Sequence, residues 1–187
     1  DVFGGELRLA LTGAAPIGRS TLDFFDACGA RVLEGYGMTE SCAAATLGRP
    51  DAPRLGTVGP PLEGTGVRIA EDGEVLLSGP NLFSGYHRDP EATAETLREG
   101  WLHTGDLGTL EDGHLRITGR KKDLIITSSG KNVSPAAIEN ALRESRWIGE
   151  AVVFGDGRSY LVALLTLDPD EAAALAAAAG RERGPDL

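Results

Sequence analysis

From Gly35 to Ser41 the chain reads Gly-Tyr-Gly-Met-Thr-Glu-Ser, which sets an aromatic ring, a hydroxyl and a carboxylate between glycines just after an apolar stretch. These groups suit a nucleotide. The Tyr36 ring can stack on a base, the Thr39 hydroxyl can donate to a phosphate oxygen, and the Glu40 carboxylate can hold Mg²⁺. Two later runs, Thr104-Gly105-Asp106-Leu107 and Gly119-Arg120-Lys121-Lys122-Asp123, add a carboxylate and a group of cations.

Several other chemistries lack their residues. Gly130-Lys131 is followed by Asn132 and preceded by Ile125 where a phosphate-binding P-loop needs glycine. The run from Gly35 has Glu40 where a dinucleotide fingerprint ends in glycine. His87, His103 and His114 match no metal-ligand spacing, and no nucleophile elbow occurs. Cys28 and Cys42 are too far apart for a CxxC pair and read as reduced, partly buried thiols.

The elements that must position these groups divide into three textures. Leu7 to Leu11 reads as a strand, Gly13 to Pro16 as a turn, Ser20 to Ala27 as a helix closed by Gly29, and Arg31 to Leu33 as a second strand. This β-α-β unit places the Gly35–Ser41 run at a strand's C-terminal end, where parallel sheets bind ligands. From Gly56 to Gly119, short apolar stretches alternate with glycines, and Asp72-Gly73 and Asp112-Gly113 mark hairpin turns. A small, mostly antiparallel sheet or distorted barrel is expected there, interrupted by a helix with Asp89 as N-cap and Pro90 first.

After Arg120 the pattern becomes α+β. It predicts a strand over Leu124–Thr127, a helix over Pro135–Arg143 capped by Ser134, strands over Ala151–Phe154 and Tyr160–Leu167 joined across Asp156-Gly157, and a last helix from a capping box at Asp168 to about Gly180. Charge changes at the same point. Lys and Arg number 9 against 18 Asp and Glu before Arg120, and 9 against 10 from Arg120 onward. The shift suggests a domain boundary near residue 120.

The 187 residues suit one domain or two small ones. A net charge of −10 argues against nucleic acid as a partner. No apolar run is long enough to span a bilayer, and Asp1–Glu6 has no basic segment leading into an apolar one, so a cytoplasmic location is expected, with peripheral attachment at the inner membrane surface left open.

Taken together, the runs resemble the adenylate-forming superfamily of acyl-CoA synthetases, peptide-synthetase adenylation domains and luciferases. Gly73-Glu74-Val75-Leu76-Leu77-Ser78-Gly79-Pro80 leading to Ser84-Gly85-Tyr86, and Gly100-Trp101-Leu102-His103, are similar to further signatures of that superfamily. The stretch Gly119 to Ile126 with Ser129 to Pro135 resembles the long-chain acyl-CoA synthetase branch. That resemblance implies activation of a fatty acid by ATP to acyl-AMP and pyrophosphate, followed by transfer to coenzyme A. It implies residues 1–119 as the end of a large AMP-binding domain, a β-α-β unit plus a small distorted β-barrel. Residues 120–187 would then be an incomplete, mobile α+β C-terminal domain.

The resemblance also assigns roles. Tyr36 would stack on adenine, Gly37 and Thr39 would line the nucleotide with Thr39 at the α-phosphate, and Glu40 would hold Mg²⁺. Asp106, expected in a tight turn, would accept hydrogen bonds from both ribose hydroxyls, and Arg120 would reach the ribose or a phosphate. Lys122 occupies the hinge position, Gly130 the wall of a pantetheine tunnel, and Gly13-Ala14 the segment near adenine and the acyl pocket. The superfamily's Ser/Thr/Gly-rich phosphate loop and its C-terminal catalytic lysine have no counterpart here, and no lysine follows Lys131. The chain is therefore expected to be an internal piece of a longer enzyme, with fatty acid, ATP and coenzyme A as partners and no acyl-AMP formation by itself.

Overall fold

The computed structural model describes residues 4–15 and 17–178. They form two compact units, one reaching to Lys122 and the other beginning at Asp123.

In the first unit, β1 (Ala10–Thr12) and α1 (Arg19–Ala27) lead into β2 (Val32–Met38), which runs parallel to β1 with Ala10 opposite Val32. The first strand is shorter than Leu7–Leu11 because its ladder begins only at Ala10, whose N–H donates to Arg31 O at 2.9 Å. The second extends past Leu33. Its extension contains Tyr36 and both glycines of the motif, so Gly35–Met38 belong to the strand and only Thr39–Ser41 follow it. An antiparallel partner that the periodicity did not announce, β3 (Ala43–Leu47), holds it there. Gly37 faces Ala44 across this pair beside a register shift. A Cβ at Gly37 would overlap the Ala43 carbonyl and lie 2.9 Å from Ala44 Cα, so the close approach of β2 and β3 requires glycine.

A second sheet contains β4 (Gly66–Ile69), β5 (Glu74–Ser78), β6 (Leu97–Arg98), β7 (Trp101–Glu111) and β8 (His114–Arg120), all antiparallel. The long β7 takes β5 along one edge, and β6 then β8 along the other. No closed barrel forms. Among the described residues the four-residue β4 pairs only with β5, so the sheet stays open where a distorted barrel was expected. The Asp72-Gly73 and Asp112-Gly113 turns fall where expected, and Asp112 and Gly113 both take positive φ, 47° and 77°, as a two-residue hairpin turn demands. The core joins the sheets: Ala45 of β3 packs with Val75, Leu77, Leu102 and Leu115, all fully buried. Between β5 and β6, α2 (Pro90–Thr96) starts at Asp89, whose carboxylate accepts from Ala92 N. Cys28 and Cys42 are both exposed rather than partly buried, Cys28 at the end of α1 and Cys42 in the tight connection before β3.

In the second unit, β9 (Ile125–Ile126) pairs with β10 (Asn132–Val133), followed by α3 (Pro135–Arg143). The strand expected over Leu124–Thr127 is cut to two residues because Thr127 is drawn into the turn, its hydroxyl accepting from Lys131 N. Ser134 precedes α3 in extended conformation, and its side chain makes no capping hydrogen bond to the helix. The antiparallel pair β11 (Ile148–Phe154) and β12 (Val162–Leu167) packs on α3, with Glu139 accepting from Val153 N at 2.8 Å. Asp168 caps α4 (Pro169–Ala178) by accepting from the N–H groups of Asp170 and Glu171. The expected end near Gly180 lies outside the described residues.

Candidate active site

Asp106 sits inside β7, directly across from Arg120 of β8, not in the tight turn expected of it. The strand is locally irregular. Between Glu74 and Leu76, β5 advances two residues while β7 moves from Leu107 to His103, so the extra residues of β7 bulge. Gly105, with φ 72°, lies in this bulge, and the Thr104 hydroxyl pins it by donating to Val75 O at 2.7 Å and accepting from Asp106 N at 3.1 Å. The bulge aims Asp106 at two partners. Its Oδ2 accepts from the Tyr36 hydroxyl at 2.7 Å, and its Oδ1 accepts from Arg120 Nε at 2.8 Å. The carboxylate is only 4% exposed, whereas Arg120 is largely in solvent.

Tyr36 is half-buried against the core, and its pKa is pushed well above the ordinary 10, first by burial and further by the neighbouring Asp106 carboxylate. It stays a donor across the working pH range. Thr39 and Glu40 lie in a single 3₁₀ turn that follows β2 and ends at Ser41. The turn is rigid. The buried Ser41 hydroxyl accepts from Met38 N and donates toward the carbonyls of Met38 and Ala43. Glu40 O accepts from Phe83 N, and Glu40 Oε1 accepts from the Tyr86 hydroxyl at 2.7 Å. Tyr86 in turn packs edge-on against Phe83. That bond to Glu40 raises the pKa of Tyr86. Gly13 follows β1 beside the motif, where a Cβ would lie 3.0 Å from Gly35 O, and Ala14 next to it takes a left-handed φ of 67°. A cleft of about 380 Å³ opens beside these groups, with Glu40, Tyr86, Glu74, His103, Gly105 and Lys121 among its walls. Its size suits a small ligand.

The structure thus brings Tyr36, Asp106 and Arg120 into contact and sets Glu40 on the cleft. Lys122 is exposed at the end of the first unit. Gly130 belongs to the second unit, in the exposed turn between β9 and β10, with φ 78° and open space where a Cβ would point. Among the described residues no group of three or more His, Cys, Asp or Glu side chains is arranged to hold a metal by itself. Mg²⁺ commonly relies on one or two carboxylates plus substrate phosphates, and Glu40 with the adjacent Thr39 hydroxyl matches that smaller requirement.

Sequence reasoning gave no role to Glu74, which the structure makes central. It is 6% exposed, and its Oε1 accepts from Gly105 N at 2.8 Å. Its Oε2 lies 3.2 Å from His103 Nδ1 and accepts from Lys121 Nζ at 3.1 Å. The available signal was a carboxylate opening the otherwise apolar stretch Val75–Leu77. Burial would raise its pKa, but the hydrogen bonds from Gly105, Lys121 and His103 outweigh it and hold the carboxyl below the ordinary 4.5. A carboxyl lowered on folding stabilises the fold above its unfolded pKa, and that stabilisation is lost as pH falls through the folded value. The stability advantage of the native protein over Glu74→Gln should therefore be full above pH 4.5 and shrink steadily on acidification below it. Urea unfolding of both proteins across that range measures this, and a difference that does not change with pH would contradict it.

The fold is an α/β module in which a buried aspartate, a tyrosine and an arginine converge beside a carboxylate-bearing turn. Family models identify the class. The model described as AMP-binding enzyme matches residues 1–87, and that described as AMP-binding enzyme C-terminal domain matches residues 122–182. The chain belongs to the AMP-binding enzyme family. It is 45% identical over 169 residues to the long-chain-fatty-acid–CoA ligase FadD15 of Mycobacterium tuberculosis, covering 90% of this chain and 28% of that protein. It is 48% identical over 184 residues to the putative fatty-acid–CoA ligase fadD11 of the same species, covering 97% of this chain and 32% of that protein. Among solved structures it is similar to the o-succinylbenzoate CoA synthetase MenE of Bacillus subtilis in complex with the acyl-adenylate intermediate OSB-AMP, with a TM-score of 0.80 and 31% identity over 95% of this chain and 40% of that one. The chain therefore spans about a third or less of the curated relatives' length.

Proposed function

We propose that residues 1–187 are part of an ATP-dependent acyl-CoA synthetase that converts a long-chain fatty acid to acyl-AMP with release of pyrophosphate, then transfers the acyl group to coenzyme A. The observation that carries this reading is Asp106, buried yet presented between Tyr36 and Arg120 in a chain similar to two fatty-acid–CoA ligases. A buried carboxylate with lone pairs to spare is suited to a vicinal diol, so Asp106 and Arg120 take the ribose. Tyr36 lies against adenine, with Gly13 and Ala14 alongside, and Gly37 and Thr39 line the phosphate side.

Because a carboxylate is a weak nucleophile attacking an anion, the chain contributes by positioning and charge neutralisation. Glu40 and Thr39 would hold Mg²⁺, which when bound neutralises phosphate charge. Lys122, exposed at the end of the first unit, serves as the pivot between the two half-reactions, and Gly130 lets pantetheine pass close to the backbone. The division expected near residue 120 falls three residues later, with residues up to Lys122 in the nucleotide-binding part and those from Asp123 onward in the moving part. Among the described residues no helix is long and apolar enough to cross a membrane.

Pyrophosphate exchange into ATP tests the reading with the longer polypeptide that carries this chain. Exchange should require a long-chain fatty acid, and residues 1–187 alone should give none. Exchange supported by an aryl or amino acid but by no fatty acid would assign a different carboxylic acid. Absence of both exchange and AMP binding would leave a structural module.

A further inference from the structure

We infer that Glu74 is a positioning residue that holds Asp106 and Arg120 in register as a ribose-reading pair. The inference rests on the ribose role assigned above and deepens it. Asp106 and Arg120 come from different strands, and each would drift if its own strand frayed at the bulge or at the unit boundary. Glu74 grips the residue just before the first and the residue just after the second. Its Oε1 accepts from Gly105 N at 2.8 Å, and its Oε2 accepts from Lys121 Nζ at 3.1 Å. His103 Nδ1, on the other side of the bulge, lies 3.2 Å from the same Oε2.

Each tie has a physical reason to be there. Gly105 takes φ 72°, and while the Thr104 hydroxyl ties the bulge on either side of it, the N–H of Gly105 itself is held by the Glu74 carboxylate. Lys121 stands two residues ahead of Asp123, where the second unit begins. It is tied twice to the first unit, through Glu74 and through Asp72 Oδ2 at 2.7 Å. Movement at Lys122 therefore stops at Lys121 and does not reach Arg120. A buried carboxylate in a core strand is costly unless its hydrogen bonds are made, and here both oxygens are engaged. A role limited to core stability would have been served better by an apolar side chain continuing Val75–Leu77, each at most 2% exposed.

The test separates ribose reading from general stability. In the longer polypeptide, calorimetry compares AMP with 2′,3′-dideoxy-AMP, which lacks both hydroxyls that Asp106 would accept from. The native protein should prefer AMP. Glu74→Gln keeps an acceptor for Gly105 but opposes Lys121 with an amide, and should weaken AMP binding about tenfold while leaving dideoxy-AMP nearly unchanged, the scale of one hydrogen bond to a charged group. Lys121→Met, a surface change that should fold normally, should move the same ratio in the same direction, and Lys121→Arg should restore it. Equal losses for both ligands, or an unchanged preference in both variants, would overturn the positioning role while leaving the proposed function intact. A native protein with no preference between the ligands would remove the ribose assignment and this inference with it.

Discussion

Replacing Asp106 by Ala should lower the affinity of the longer polypeptide for AMP by at least about 100-fold, because two hydrogen bonds to a charged acceptor, each worth about 1.5–3 kcal/mol, vanish together. The geometry explains why no neighbour substitutes fully. The Tyr36 hydroxyl and Arg120 Nε both donate and now converge on Asp106 at 2.7 and 2.8 Å, so without it no carboxylate remains there to accept from the diol, and only the weaker Tyr36 hydroxyl oxygen could take its place. Asp106→Asn keeps the shape but swaps one oxygen for a donor, and should recover only a small part of the lost affinity. The Ala variant carries a second signature. The carboxylate is one of the causes that raise the pKa of Tyr36, so that tyrosine should ionise at lower pH in the variant while staying above its ordinary value, since burial, the larger cause, remains. Calorimetry with AMP and an ultraviolet titration measure both effects. Native-like AMP affinity in both variants would end the ribose assignment.

Gly37→Ala should destabilise the first unit by more than about 3 kcal/mol, at or beyond the upper end of ordinary overpacking. A Cβ there meets the Ala43 carbonyl carbon at 2.6 Å and Ala44 Cα at 2.9 Å, and both are backbone atoms that cannot rotate away. Nor can β3 retreat. Its Ala45 and Thr46 are fully buried, Thr46 Oγ1 donates to Val58 O at 2.7 Å, and Ser41 closes the connection from within. Gly105→Ala is the informative comparison. Nothing lies within 4 Å of its Cβ position, so only the left-handed φ of 72° is penalised, at about 1–2 kcal/mol. Thermal unfolding of the two variants should rank them in that order, and equal midpoints for Gly37→Ala and the native protein would refute the steric argument.

The positions that behaved as read share one property: their determinants lie within a few residues of one another. The turns at Asp72-Gly73 and Asp112-Gly113 need only local φ freedom, and the helices begun by Asp89-Pro90 and Asp168-Pro169 need only a carboxylate near free N–H groups. The readings that shifted depended on a partner distant in sequence. The extent of β2 was decided by β3, and the openness of the second sheet by where β4 and β8 find partners. The position of Asp106 was decided by a bulge in the β5–β7 ladder. A bulge leaves no trace in hydrophobic alternation, because it adds residues without altering which types are apolar.

By itself the sequence determined which chemical groups are present and in what order: an aromatic ring, a hydroxyl and a carboxylate around Gly35–Ser41, then Asp106, then Arg120 with its lysines. Only the tertiary structure decided which of them touch. It joined Tyr36 to Asp106 across 70 positions, Glu40 to Tyr86 across 46, and Glu74 to both Gly105 and Lys121. Hydrogen bonds act over about 3 Å, and strand register alone sets which distant side chains come that close.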